Sequence, residues 1–129
     1  MKLNRIDHIA IICSDYEKSK SFYTDILGMN IVREIYRAQR GSWKCDLEVE
    51  GVYQIELFSF PDPPQRVSKP EACGLRHLAF EVDDIEQSAC ELKLKGISVE
   101  PIRFDETRDN KRFTFFQDPD GLPIELCEK

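Results

Sequence analysis

Four residues stand out for their chemistry: His8, Glu56, His77 and Glu125. The chain has only two histidines in 129 residues, and they occupy equivalent places in an internal repeat. Residues 8–19, H-I-A-I-I-C-S-D-Y-E-K-S, displaced by 69 positions, align with residues 77–88, H-L-A-F-E-V-D-D-I-E-Q-S, with identities at five of twelve positions. The same displacement carries Ile55-Glu56-Leu57 onto Ile124-Glu125-Leu126. One offset shared by two distant blocks marks a duplicated module. Two neutral imidazoles and two carboxylates suit a borderline divalent ion that keeps open positions, such as Ni²⁺, Zn²⁺, Co²⁺ or Fe²⁺. Without an ion, two glutamates facing one cavity would repel and raise each other's pKa. A strand histidine taken alone is more often a hydrogen-bonded structural residue, and a glutamate between apolar residues more often a solvent-facing one. The weight therefore rests on the joint placement.

Each copy must supply strands to position these groups. Strands are expected at 6–13 and 75–82, followed by helix starts at Ser14-x-x-Glu17 and Asp83-x-x-Glu86, which have capping-box spacing. Tyr16, Phe22, Tyr23, Ile26 and Leu27 recur at helical spacing in the first copy, and Ile85, Ala89 and Leu92 in the second. Gly28 and Gly96 follow, where a left-handed cap is expected. Three strands then follow in each copy, at 30–37, 43–50 and 53–60, and at 97–103, 112–117 and 122–127, the last two joined by an Asp118-Pro119-Asp120-Gly121 turn. The pattern is βαβββ twice: module 1 over about 1–60, a proline-rich linker at 61–73, and module 2 over about 74–129. Alternation puts His8, Ala10 and Ile12 on one face, with Ile9 and Ile11 towards the helix, and His77 and Ala79 likewise. Glu56 and Glu125 point away from the core-facing positions beside them.

Composition is that of a globular protein, with 41% apolar and 33% charged residues. A net charge of −6 without a basic run argues against nucleic-acid binding. No stretch approaches the length of a membrane span, and the N-terminus has no signal-peptide core. Five cysteines, an odd number without a C-x-x-C pair, read as free thiols of a cytoplasmic protein. Catalytic cysteine is the minor alternative.

The segments S-F-Y-T-D-I-L-G-M (21–29), Q-I-E-L-F (54–58), R-H-L-A-F-E-V-D-D (76–84) and F-F-Q-D-P-D-G-L-P-I-E-L (115–126) resemble the vicinal oxygen chelate superfamily, and its glyoxalase I branch in particular. The resemblance spans essentially the whole chain. It implies an α+β fold in which tandem βαβββ modules form a curved mixed sheet around a metal cleft, as in the glyoxalase/dihydroxybiphenyl dioxygenase proteins. It makes His8, Glu56, His77 and Glu125 the ligands of one divalent ion, with Ni²⁺ or Zn²⁺ preferred. It implies conversion of the methylglyoxal–glutathione hemithioacetal to S-lactoylglutathione. The ion would act as a Lewis acid, Glu125 as the main base and Glu56 as its counterpart. A homodimer is implied as well.

One position departs from the pattern. Many glyoxalase I sequences place an Arg four residues after the first ligand, against the glutathione carboxylate, and this chain has Ile12. Arg33, Arg37, Lys111 or Arg112 could hold that anion, Lys111 lying near where some relatives use a Lys from a mobile loop. Solvated surface charge is the plainer reading of all four. Trp43, Phe58 and Phe60 line a pocket or simply pack, and 104–110 forms a lid or a loop. Two other readings stay open: a metalloenzyme of the superfamily acting on another thiol adduct or small oxygenated substrate, and a resistance protein that sequesters a drug or metabolite.

Overall fold

The computed structural model describes all residues, 1–129. They divide into two compact units, Met1–Gln65 and Arg66–Lys129. Each builds a four-stranded mixed sheet backed by helix, so the chain is α+β with two tandem modules.

In the first unit, β1 (Ile9–Cys13) leads into α1 (Tyr16–Ser21), which runs on as a π-helical turn over Phe22–Ile26. Strands β2 (Asn30–Arg37), β3 (Ser42–Val49) and β4 (Val52–Ser59) follow. The sheet order is β1-β4-β3-β2, with β1 parallel to β4. The parallel pairing lets the chain cross over through α1 and bury Ile11, Tyr16, Tyr23, Leu47, Ile55 and Leu57 between helix and sheet.

The second unit repeats this plan. Strand β5 (Leu78–Val82) is followed by α2 (Ile85–Leu94), β6 (Arg103–Asp105), β7 (Lys111–Gln117) and β8 (Pro123–Glu128). The order is β5-β8-β7-β6, with Leu78, Ile85, Leu92, Phe116, Ile124 and Leu126 buried. The 69-residue displacement reappears in the ladders: Ala10 pairs with Glu56 and Ala79 with Glu125.

Local differences from the sequence reading have local causes. Both helix caps fall one residue later than expected. Asp15 and Asp84 adopt extended backbone, and their carboxylates accept from the N–H of Lys18 (3.1 Å) and Gln87 (2.9 Å). The strand expected at 97–103 overlaps the observed one only at Arg103, β6 running over Arg103–Asp105, because Pro101 has no N–H to give a ladder. What remains is one bond from the Glu100 N–H to the Phe115 carbonyl at 2.9 Å. Residues 104–110 close the β6–β7 hairpin, with Asp105 accepting from Thr107. Gly96, at φ +81°, ends α2 so that the Ile97 N–H can turn back to the Leu92 carbonyl. No helix is long and apolar enough to cross a membrane.

Candidate metal centre

His8 and His77 stand one residue before β1 and β5, so the strands aim both rings along the face opposite the helices. In the first unit His8 Nε2 lies 3.3 Å from Glu56 Oε2. In the second, His77 Nε2 lies 3.0 Å from Glu125 Oε2. Each glutamate sits between two buried residues, Ile55 and Leu57 or Ile124 and Leu126, which lock its strand and turn its carboxylate to the other face. Within each unit the set is one His and one Glu, and no group of three or more His, Cys, Asp or Glu side chains gathers to hold a metal.

The pairs fit a divalent ion by their donor chemistry. Two ligand atoms each about 2.1 Å from an ion and at right angles to one another stand roughly 3.0 Å apart, close to both observed separations. His8 is further prepared for such a role. Its Nδ1 is 2.9 Å from Asp7 Oδ2, a carboxylate placed to accept the Nδ1 hydrogen when Nε2 holds an ion. His77 has no such support: its Nδ1 is buried without a partner, and Phe115 meets the ring edge-on at 5.3 Å.

The two glutamates differ in their surroundings. Lys44 Nζ contacts Glu56 Oε1 at 2.6 Å and Asp46 Oδ1 at 2.7 Å, and Arg33 forks onto Asp46 Oδ2 at 2.7 and 3.0 Å. Register explains the cluster: Asp46 pairs across the ladder with Glu56, Lys44 with Phe58 and Arg33 with Asp46, so all share one face. Burial alone would raise the Glu56 carboxyl, but bonds from Lys44 and Tyr53 and the Lys44 charge hold it below its ordinary value. Glu125 has His77 as its only paired side chain. Displaced by 69 residues, Lys44 and Asp46 correspond to Phe113 and Phe115, so aromatic rings replace the charges beside Glu125.

Of the other candidates, Arg33, Arg37 and Phe58 share the Glu56 face. Arg37 lies over the Phe58 ring at 4.8 Å and donates to Ser42 Oγ, and Phe58 stacks on Phe60. Lys111 is on the His77 face, opposite Asp105 in the β6–β7 ladder. The structure does not bring Trp43 or Arg112 to these faces. Trp43 stacks on Tyr16 of α1 at 5.1 Å. Arg112 forks onto Glu128 (2.7 and 2.8 Å) and reaches Glu86 at the start of α2 (2.7 Å), which fixes it on the helix side. Asp7, Lys44, Asp46 and Tyr53 were not among the expected residues. The alternation of Lys44, Asp46 and Glu48 against Cys45 and Leu47 was the available clue.

The sequence profile of the glyoxalase/bleomycin resistance protein/dioxygenase superfamily matches residues 5–126. The chain belongs to this superfamily. Its relatives in the superfamily include the uncharacterized protein YwkD of Bacillus subtilis (strain 168), 60% identical with 100% of both chains covered. YaeR of Escherichia coli (strain K12), also uncharacterized, is 58% identical with 98% of both covered. The crystal structure of a glyoxalase family protein from Enterococcus faecalis superimposes with a TM-score of 0.90 at 44% identity, covering 99% of this chain and 100% of that one. More distant superfamily relatives include the mitochondrial methylmalonyl-CoA epimerase of Mus musculus, 32% identical over 74% of this chain and 56% of its own length. Lactoylglutathione lyase of Schizosaccharomyces pombe is 25% identical over 100% of this chain and 49% of its own length.

Proposed function

We propose that the protein is a metal-dependent isomerase of the glyoxalase I type, in which His8 and Glu56 from one unit and His77 and Glu125 from the other are the ligands of a divalent ion, Ni²⁺ or Zn²⁺ in preference to Co²⁺ or Fe²⁺. The observation that carries this reading is the twofold occurrence of a His Nε2–Glu pair at metal-ligand spacing, in a superfamily with a lactoylglutathione lyase among this chain's distant relatives. When bound, the ion supplies Lewis-acid stabilisation of negative charge on oxygens adjacent to the reacting carbon. The chain's own residues divide the remaining work. Lys44 and Tyr53 hold Glu56 as an anion in one position. Glu125, tied to His77 alone, is free to take a proton from C1 of the hemithioacetal and return it to C2. The substrate is isomerised to the lactoyl thioester without net oxidation, and the base ends as it began.

A second reading has its own support. Ile12 is 55% exposed and offers no charge to a glutathione carboxylate, and the epimerase likeness points to proton transfer next to a different thioester. The deciding experiment reloads chelator-treated protein with each metal and assays lactoylglutathione formation. Metal-dependent turnover establishes the first reading. Metal binding with no turnover rejects glutathione as the thiol and favours the second.

Two substitutions test the ligand set by metal affinity alone. His77→Ala should weaken Zn²⁺ binding by more than about 100-fold, beyond the roughly 10–100-fold range of outer-shell partners. Wild-type affinity in that variant would remove His77 from the set. Asp7→Asn should weaken Zn²⁺ about tenfold through the lost hold on His8 Nδ1. Chelator competition reads both, and an unchanged Asp7→Asn titration would make that contact incidental.

A further inference from the structure

The second unit contains a cavity of about 240 Å³ whose wall includes His77 and Phe115. The rest of the wall is unexpectedly basic for a chain of net charge −6. Arg66, Lys69, Arg76 and Arg103 line it, against Glu71 and Glu100.

These cations are not equivalent. Arg66 is a staple: its Nη2 donates to the carbonyls of Leu75 (2.6 Å) and Arg76 (2.8 Å), and its Nε to Ser68 Oγ (2.9 Å). That pins the segment leading to β5 as one wall. Arg103 is a platform residue on β6, pressed against Phe113 at 5.0 Å and Phe115 at 5.9 Å. One of its five N–H donors reaches Glu100, at 2.8 Å, which leaves the others unassigned. Arg76 has Glu71 only at 3.8 Å between two well-exposed side chains, an ion pair of little strength. Lys69 has no ion pair. The cavity thus presents unmatched positive charge within the wall that carries His77.

We propose that this cavity binds the anionic end of the substrate, a carboxylate or phosphate group held by Arg103, Arg76 and Lys69 so that the reacting carbon is directed to the His77–Glu125 pair. This names the substrate class for the site proposed above and rests on that reading. A planar guanidinium braced by the Phe113 and Phe115 rings is suited to fork onto an oxyanion, and a flexible lysine adds charge without fixed geometry.

The test uses the full-length, metal-free protein, so that no probe is retained by chelation. Inorganic phosphate and succinate are titrated separately by calorimetry at low ionic strength. Saturable binding of at least one is expected, weakening as salt rises. Arg103→Gln should weaken it about tenfold or more, and Lys95→Gln, outside the cavity, should leave it unchanged. The tighter probe assigns the group as phosphate or carboxylate. Should Arg103→Gln fail to fold, Lys69→Gln has no partner to lose, and a loss of about threefold or more is expected there. No saturable binding of either probe, or equal affinity in the cavity variants, overturns the proposal. Anion binding without lactoylglutathione formation keeps the cavity and rejects the reaction. Turnover without anion binding does the reverse.

Discussion

Replacing Glu125 by Gln is expected to lower turnover of the proposed isomerisation about a thousandfold, within the range for loss of a positioned general base, and to leave the fold as it is. The side chain is 13% exposed, on a strand held from the other face by Ile124 and Leu126. An amide has the same shape and can still meet His77 Nε2, so the change removes basicity and ligand charge while keeping the packing. Turnover is to be read at saturating metal, since an amide oxygen is a weaker ligand than a carboxylate. Glu56→Gln behaves differently, because it also strips Lys44 of one of its two carboxylates, and lowered thermal stability accompanies any loss of rate. Activity of Glu125→Gln within about threefold of wild type would exclude Glu125 as the base, a bound well below the loss any positioned base entails.

The larger structural effect is expected at Asp46. Its side chain is 3% exposed and receives both Arg33 and Lys44. Asp46→Asn leaves two cations facing a neutral amide at a buried position. Arg33 is exposed and Lys44 keeps Glu56, so the loss falls below that of a fully buried pair, at about 2 kcal/mol, which for a domain of this size lowers Tm by roughly 7 °C. The pH dependence follows from the same contacts. Burial pushes the Asp46 carboxyl up, but bonds from Lys44 and Arg33 outweigh it and hold the group below its ordinary value. A carboxyl depressed on folding contributes its full stability above the unfolded-state pKa, about 3.9, and loses it as pH falls through the lower folded value. In the metal-free protein the Tm difference between wild type and Asp46→Asn should therefore be widest near pH 7 and narrow below about pH 4. A difference that stays constant down to pH 3 would show that packing, not charge, accounts for the loss.

Much of this architecture was legible in the sequence because it is written twice. The 69-residue displacement, the alternation around Glu56 and Glu125 and the position of each histidine ahead of a strand are local patterns, and they reappear as matched ladder registers. The helix caps were misplaced by one residue because Ser14 and Asp83 have suitable side chains, while the extended backbone belongs to Asp15 and Asp84. The Lys44–Asp46–Arg33 cluster was harder to foresee. It depends on which residues lie opposite one another across three strands, and irregularities between Ile31 and Arg33 and between Leu47 and Glu48 shift that register. The basic cavity was hidden for a different reason. Arg66 fixes its wall through backbone carbonyls about ten residues on, and no periodicity in the chain announces such a bond. Trp43 and Arg112 show the converse case, residues of suitable chemistry whose strand parity commits them to the helix side.

The unequal surroundings of the two glutamates bear on how this protein can change. Glu56 belongs to the same charge cluster that secures the first sheet, so a lineage that alters it risks the fold along with the chemistry. Glu125 has no such obligation, since aromatic rings take the place of the charges around it. Substitution of Glu125 itself therefore breaks only the contact with His77, whereas substitution of Glu56 must first pass the threshold of stability. The duplication leaves Glu56 as an anchor and frees Glu125 to vary, so divergence in the chemistry of the proposed site should accumulate at Glu125 before Glu56.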